Sequence, residues 1–322
     1  MEYYKYINEK SITDYQTLVT DLTTNFNLKF KEEGDLFLIY QDNDETNYNE
    51  VALVRNCIGL IGVKETLKVL CYSFDRCFEV EDNTDTIHPQ LDINNIRVEK
   101  AYEGSLIRVY FYNNCWYVST KRCIDASKAY WISNKSFYEL FAEVLPVNFK
   151  FTDLDESYCY SFLLCHPDNN IINKNYSCKV YHLSTRHVDT LSCVDIDIGI
   201  TKPYVYTNID SSNINTIFDQ YSNEFEGYML SDINGNRQKV EGKVFKKLRL
   251  LWGNTNNRIY RYLQLRKSET DLKDYLSFFF NDCTFFKNIE LLIIKYCKKI
   301  HKMYLDKNVK KTGEFLNYPY SK

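Results

Sequence analysis

Long apolar runs are missing from this chain of 322 residues. No stretch reaches the roughly 18 consecutive apolar residues of a membrane span, and the opening MEYYKYINEK has no apolar h-region of a secretory signal. The expectation is a protein neither secreted by a standard signal nor anchored in a bilayer. Glycine and proline are scarce, at 10 and 5, which argues against long flexible linkers or a disordered tail. No CxxC pair occurs, and no histidine stands at zinc-ligand spacing from a cysteine. The eleven cysteines are an odd number, scattered singly from Cys57 to Cys297. That pattern fits reduced, mostly buried thiols in a cytoplasmic compartment better than a disulfide framework or a metal site. A glycine-rich phosphate loop is absent too. His88, His166, His182, His187 and His301 lack a Ser or Cys partner at motif spacing, which leaves no competing histidine-based active site. An excess of one charge is also wanting: 40 basic and 43 acidic side chains give −3, and partners respond to local patches rather than to that sum.

What is present suits a soluble globular protein, with 44% apolar and 26% charged residues. The length predicts two domains, or one large domain with an appendage. Abundant Tyr, Asn, Lys and Ile point to an AT-rich coding genome. Ser11 and Asp14 before YQTLVTDL predict a capped helix, and Gly34 in LKFKEEGDLFLIYQD predicts a hairpin. The polar run DNDETNYNE reads as a loop. From Glu50 to about Arg266 most segments read as strands rich in Val, Ile, Tyr and Phe, with turns at Asn113-Asn114, Pro167-Asp168-Asn169-Asn170 and Asn234-Gly235. One helix is expected from near Ser133 through FYELFAEVL. After Ser268 the period changes: Ile289, Leu292, Ile293, Tyr296, Ile300 and Tyr304 recur at helical spacing, with Lys295, Lys298, Lys299 and Lys302 mostly on the other side. The predicted architecture is α+β, an antiparallel-sheet domain over 1–267 followed by a helical C-terminal region over 268–322.

Several stretches carry chemistry in a fixed order: LVRNCIG with Arg55, LCYSFDRCFEV, AYEGSL with Glu103 and Gly104, WYVSTKRCIDAS with Lys121, YSFLLCHPDNNII with Phe162, Pro167, Asn169 and Ile171, FEGYML with Glu226, and RQKVEGKVFKKLRLLWG with Lys239. Together they resemble the RNA ligase 1 family of tailed phages and large DNA viruses, within the covalent nucleotidyltransferase superfamily of ligases and capping enzymes. The resemblance implies a ligase-type nucleotidyltransferase core. It also implies ATP and Mg²⁺ as cofactors, a lysine–AMP adduct, transfer of AMP to an RNA 5′-phosphate, and sealing to a 3′-hydroxyl. Arg55, Glu103, Gly104, Lys121, Phe162 and Lys239 take nucleotide-binding places, and Glu226 the magnesium-side place. A location in the host cytoplasm or the virion of a large DNA virus follows from the same resemblance.

The departures fall on the chemistry. Ala101 stands where the family has its nucleophilic lysine, and Lys100 is one residue early. Neighbouring strand residues leave opposite faces, so Lys100 should point away from Glu103 unless a bulge at Tyr102 restores it. Lys100 is therefore either a nucleophile in a bulged site or an ordinary strand lysine. Leu163 replaces a glutamate that serves the ribose or a metal-bound water, Glu241 replaces a second phosphate-gripping lysine, and Asn56 stands where Gly is usual. Arg55 is either a phosphate ligand or a surface arginine on a strand end, and Lys121 with Arg122 either a phosphate contact or a solvated strand end. From Arg237 to Lys267 basic residues, among them Lys246, Lys247, Arg249, Arg258 and Arg261, interleave with Trp252, Tyr260 and Tyr262. With the basic face of the last helix, this reads as a nucleic-acid surface with stacking platforms in preference to a solvated basic face. Two functions stay open: an ATP-dependent RNA ligase, or a non-catalytic member that binds nucleotide, RNA or DNA ends, or a protein assembly. An unrelated β-rich interaction protein is the remaining alternative.

Overall fold

A computed structural model describes residues 1–41, 51–78, 87–169, 172, 178–207, 226–253, 255 and 257–309. The loop expected at DNDETNYNE, together with Asn170 and Ile171, lies outside the described residues. The chain forms two compact units, Met1–Lys246 and Lys247–Lys322.

The first unit begins with α1 (Glu2–Glu9) and α2 (Tyr15–Phe26). Asp14 caps α2 by accepting the Thr17 N–H at 2.9 Å, so an otherwise orphaned donor is satisfied. A four-stranded antiparallel sheet follows, β1 (Lys29–Glu33), β2 (Leu36–Tyr40), β3 (Ile61–Val63) and β4 (Val69–Cys71), with α3 (Ala52–Cys57) inserted after β2. Strand β2 is buried on both faces, which explains its unbroken apolar run LFLIY. Phe37 and Ile39 pack with Tyr3, Leu18 and Leu22 of the helices. Leu36 and Leu38 face the other way, onto Tyr110 and Cys159 of the second sheet.

That second sheet has the order β10-β9-β8-β6-β7: β6 (Ser105–Tyr112), β7 (Cys115–Thr120), β8 (Tyr158–Cys165), β9 (Lys179–His187) and β10 (Cys193–Val194). Asn113 and Asn114, at φ 48° and 60°, make the left-handed two-residue turn between β6 and β7 that the sequence predicts. On the outer face lies α4 (Phe137–Val144), closed by a Ser136/Glu139 capping box. Its Leu140 and Phe141 cover Ile107, Val109, Tyr160 and Phe162. The third sheet, β11-β5-β12-β13, joins β5 (Ile96–Ala101), β11 (Val205–Tyr206), β12 (Gly227–Asp232) and β13 (Arg237–Glu241). Val98, Tyr228, Leu230 and Val240 form its apolar face.

The second unit is helical. α5 (Lys243–Trp252) leads into it, followed by α6 (Arg258–Leu265), α7 (Glu269–Phe278) and α8 (Cys283–Asn308). The strands expected between 243 and 265 are thus helices, an expectation corrected by the contacts described below. Among the described residues no helix is long and apolar enough to cross a membrane. Four of the eleven cysteines are buried and five are exposed, which corrects the expectation of mostly buried thiols.

Candidate nucleotide cleft

Strand parity decides which side chains meet. β5 pairs with β12 residue for residue, from Ile96 opposite Asp232 to Ala101 opposite Gly227, and β12 pairs with β13 from Gly227 opposite Glu241 to Ser231 opposite Arg237. One face of the sheet therefore presents Val98, Lys100, Tyr228, Leu230 and Val240, the apolar cluster. The opposite face presents Glu99, Ala101, Met229, Arg237, Lys239 and Glu241. Lys100 lies on the apolar side, its ammonium 5.8 Å from the centre of the Tyr102 ring. Tyr102 itself stacks on Tyr181 at 4.5 Å and packs with the apolar cluster. The bulge that would have carried Lys100 across is not formed in this pairing, so the expectation that Lys100 joins Lys239 and Glu226 is corrected. Ala101 is on the face of Lys239, level with Gly227 and Glu241.

Phe74 and Cys77, in the segment after β4, lie against this second face, whereas Phe78 packs in the apolar cluster of the first. Cys77 Sγ lies 3.8 Å from Met229 Sδ, and the Arg237 guanidinium stacks over Phe74 at 3.7 Å. Asn56 anchors the segment. It accepts the Tyr3 N–H at 3.1 Å and donates to Asp75 at 2.8 Å and to the Tyr72 hydroxyl at 3.2 Å. An asparagine where the family has glycine is thus a structural tie. Arg55, one residue earlier, is on a helix rather than a strand end. It is 5% exposed, stacks over Phe78 at 3.8 Å, and its Nε and Nη1 have no partner among the described residues. A buried guanidinium with orphaned donors suits an anionic ligand.

Lys121 follows β7 and packs against Gly59, where an added Cβ would stand 3.0 Å from Lys121 Cγ; Gly59 has φ 89°. Burial, reinforced by Arg76, Arg108 and Arg237, pushes the Lys121 ammonium down to about 8, opposed by the Cys77 thiol. Arg108 is 1% exposed and holds this corner, donating to the carbonyls of Gly59 and Thr120, while its Nε has no partner among the described residues. Sequence reasoning missed Arg108. Its signal is an arginine inside the strand SLIRVYFY, at a position whose parity is buried.

Glu226 precedes β12 and forms an ion pair with Lys239. Burial raises its carboxyl, with Glu241 and Glu103 adding to the shift and Lys239 opposing it. Glu103 accepts the Ile172 N–H at 3.1 and 3.2 Å through its two oxygens. Gly104 is sterically required, because a Cβ there would lie 2.7 Å from the Leu164 carbonyl oxygen and 2.9 Å from Leu163 Cγ. Phe162 does not reach the cleft. It is fully buried between Phe141 and His182, with ring centroids at 5.4 and 5.7 Å, on the outer face of its sheet. Its neighbour Leu163 takes the inner face, level with Leu106 and Tyr181.

The expected nucleic-acid residues divide. Arg258 pairs with Asp282 and Tyr275 and stacks over Trp252 at 3.9 Å. Arg261 donates to the carbonyls of Leu250 and Leu251 near the end of α5. Both are internal braces of the helical unit, which corrects their reading as nucleic-acid contacts. Trp252 and Tyr262 are each 4% exposed and cannot serve as stacking platforms, whereas Tyr260 is 54% exposed. Lys246, Lys247 and Arg249 stand on α5, with Lys247 and Arg249 exposed and Lys247 paired to Asp274 at 3.0 Å.

No family model matches the sequence. The chain is 26% identical over 188 residues to the immediate-early protein ICP-46 homolog of Invertebrate iridescent virus 3, covering 56% of this chain and 42% of that protein. It is 29% identical over 157 residues to a candidate bifunctional polynucleotide kinase/RNA ligase of Autographa californica nuclear polyhedrosis virus, covering 46% and 21%. The alignments thus span less than half the length of these relatives. Among solved structures it is similar to a candidate ATP-dependent DNA ligase from Aquifex aeolicus, with TM-score 0.51, 10% identity, and 91% and 80% of the two chains covered. It is also similar to form 2 of an archaeal ATP-dependent RNA ligase, with TM-score 0.52, 11% identity, and 81% and 74% covered.

Proposed function

Because the chain has the nucleotidyltransferase fold of ATP-dependent ligases and aligns with viral proteins of which one is described as a polynucleotide kinase/RNA ligase, we propose that it binds a nucleotide and nucleic-acid ends without forming a lysyl-AMP adduct. The observation that carries this reading is the parity of β5, which sets Ala101 on the face shared with Lys239 and Lys100 on the apolar face. A methyl side chain offers no nucleophile, and removing one member of a catalytic unit abolishes most of its rate enhancement. ATP would supply the phosphates held by Lys121 and Arg237. Lys246, Lys247 and Arg249 are the remaining candidates for contact with an RNA or DNA backbone. The test is exchange of labelled pyrophosphate into ATP with Mg²⁺ or Mn²⁺, which reads the first chemical step alone. The expected rate is that of a protein-free blank; exchange that vanishes in Lys100→Ala would restore the ligase reading.

Lys121 gives a pH signature. Below about 8 it is charged in the folded protein, and phosphate binding favours that charge. ATP affinity should therefore fall by about tenfold between pH 7 and pH 9, as the free site loses its proton and the bound site keeps it. Stability moves the other way. The unfolded chain holds the Lys121 proton more tightly, so this group's contribution to stability rises with pH between about 8 and the ordinary lysine range. Titration of binding at several pH values checks the first statement, and an affinity independent of pH would contradict it.

A further inference from the structure

We propose that the ligand of this cleft is the polyphosphate chain itself, held by Lys121 and Arg237 without a divalent cation and with the nucleoside contributing little. The inference rests on the nucleotide-binding reading above and makes that reading more specific.

The two ends of the cleft have opposite sign. At one end the groups acting most strongly on Lys121 are the thiol Cys77 and the cations Arg76, Arg108 and Arg237. Lys121 is held there by its packing on Gly59, Arg237 by its stack on Phe74, and Arg108 by the two carbonyls it bridges. Three cations fixed against rigid neighbours form a cradle for several phosphate charges, and each charge-assisted contact is about twice as strong as a neutral one. At the other end Glu226, Glu103 and Glu241 outnumber Lys239.

A divalent cation fits this second end poorly. Glu226 is already neutralised by Lys239, and Glu103 accepts a backbone N–H. Among the described residues no group of three or more His, Cys, Asp or Glu side chains is placed to hold a metal ion. Oxygen-ligated Mg²⁺ is bound through carboxylates together with substrate phosphates, so here the ion would have to displace a lysine.

The nucleoside meets few directional groups. Leu163 stands on the inner face with Leu106 and Tyr181 in register on the neighbouring strands. Such a surface takes a base by apolar contact without reading its hydrogen-bonding edge. Mg²⁺ bound to a triphosphate cancels two of the charges that the cradle recognises, so added Mg²⁺ should weaken binding.

The experiment is calorimetric titration of the full chain with ATP, GTP and inorganic triphosphate, each with EDTA and with MgCl₂. The expected result is binding of all three within about fivefold of one another in EDTA, weakened about threefold or more by Mg²⁺. Lys121→Met and Arg237→Met should each reduce affinity about tenfold. The melting temperature of Lys121→Met should hold or rise, because the substitution removes a cation whose charged form is disfavoured by desolvation and by the neighbouring arginines. A merely structural lysine would show the reverse. ATP binding that requires Mg²⁺, or that exceeds GTP and triphosphate by more than about tenfold, would overturn this inference and leave the nucleotide-binding reading standing. Absence of binding by all three ligands to folded protein would overturn both.

Discussion

Replacing Gly227 by alanine is expected to cost the first unit about 2–5 kcal/mol and to lower its melting temperature by about 5–15 °C. Gly227 has φ 154°, a backbone region that other residues rarely enter. It sits on the central strand of three, in register with Ala101 on one side and Glu241 on the other. An added Cβ would lie 2.0 Å from the Val240 carbonyl oxygen and 2.9 Å from the Glu241 Cα. Both neighbours are backbone, so relief requires β12 and β13 to separate. That movement would carry Glu226 away from Lys239, and nucleotide binding should weaken together with stability. Gly34 serves as the control: its φ is 54°, but nothing lies within 4 Å of an added Cβ. Gly34→Ala should cost only about 1–2 kcal/mol. Equal melting of Gly227→Ala and wild type would refute the proposed close approach.

Arg258→Ala is expected to destabilise the helical unit by about 2–4 kcal/mol and to leave RNA affinity nearly unchanged. Removing the guanidinium leaves Asp282 without its cation and strips the Trp252 face of its cover. Breaking such a pair by deleting one partner costs about 3–5 kcal/mol when both are buried. The lower figure reflects side chains 21% and 22% exposed, where solvent screens part of the interaction. Hydrogen exchange should show α6, α7 and the start of α8 opening together. A variant that melts like wild type but binds RNA much more weakly would reinstate Arg258 as a nucleic-acid contact.

Arg258 also shows where sequence reading reaches its limit. Its partners Tyr275 and Asp282 come later in the chain, as does Glu290, which engages Arg266. A window that sees only Arg237 to Lys267 counts cations without the carboxylates that the fold returns to them. Trp252 and Tyr262 mislead in the same way, since aromatic residues serve equally as stacking platforms and as the core of a small helical unit. The turns and caps were legible because their chemistry is local. Asp14 and Asn113-Asn114 act within four residues of themselves, whereas the Ser136/Glu139 box, just as local, was not read and the helix was expected from near Ser133.

Within the cleft, the two-residue period of a strand carried the most information. It sets Lys100 and Ala101 on opposite faces, and it does the same for Phe162 and Leu163. The resemblance by itself placed Phe162 at the nucleotide, whereas parity and the cover of α4 bury it. The Arg108 brace and the stack of Arg237 on Phe74 join segments far apart in sequence. Local pattern could not join them, and the cationic end of the cleft became visible only once the sheets were in place.

On the proposed reading this cleft holds a nucleotide and makes no covalent bond to it. Intact mass of the protein after incubation with ATP and Mg²⁺ or Mn²⁺, followed by denaturation, tests it most directly. The expected result is the unmodified mass under conditions where native titration shows the site occupied. A species heavier by one AMP in the wild type, and missing in Lys100→Ala, would contradict it.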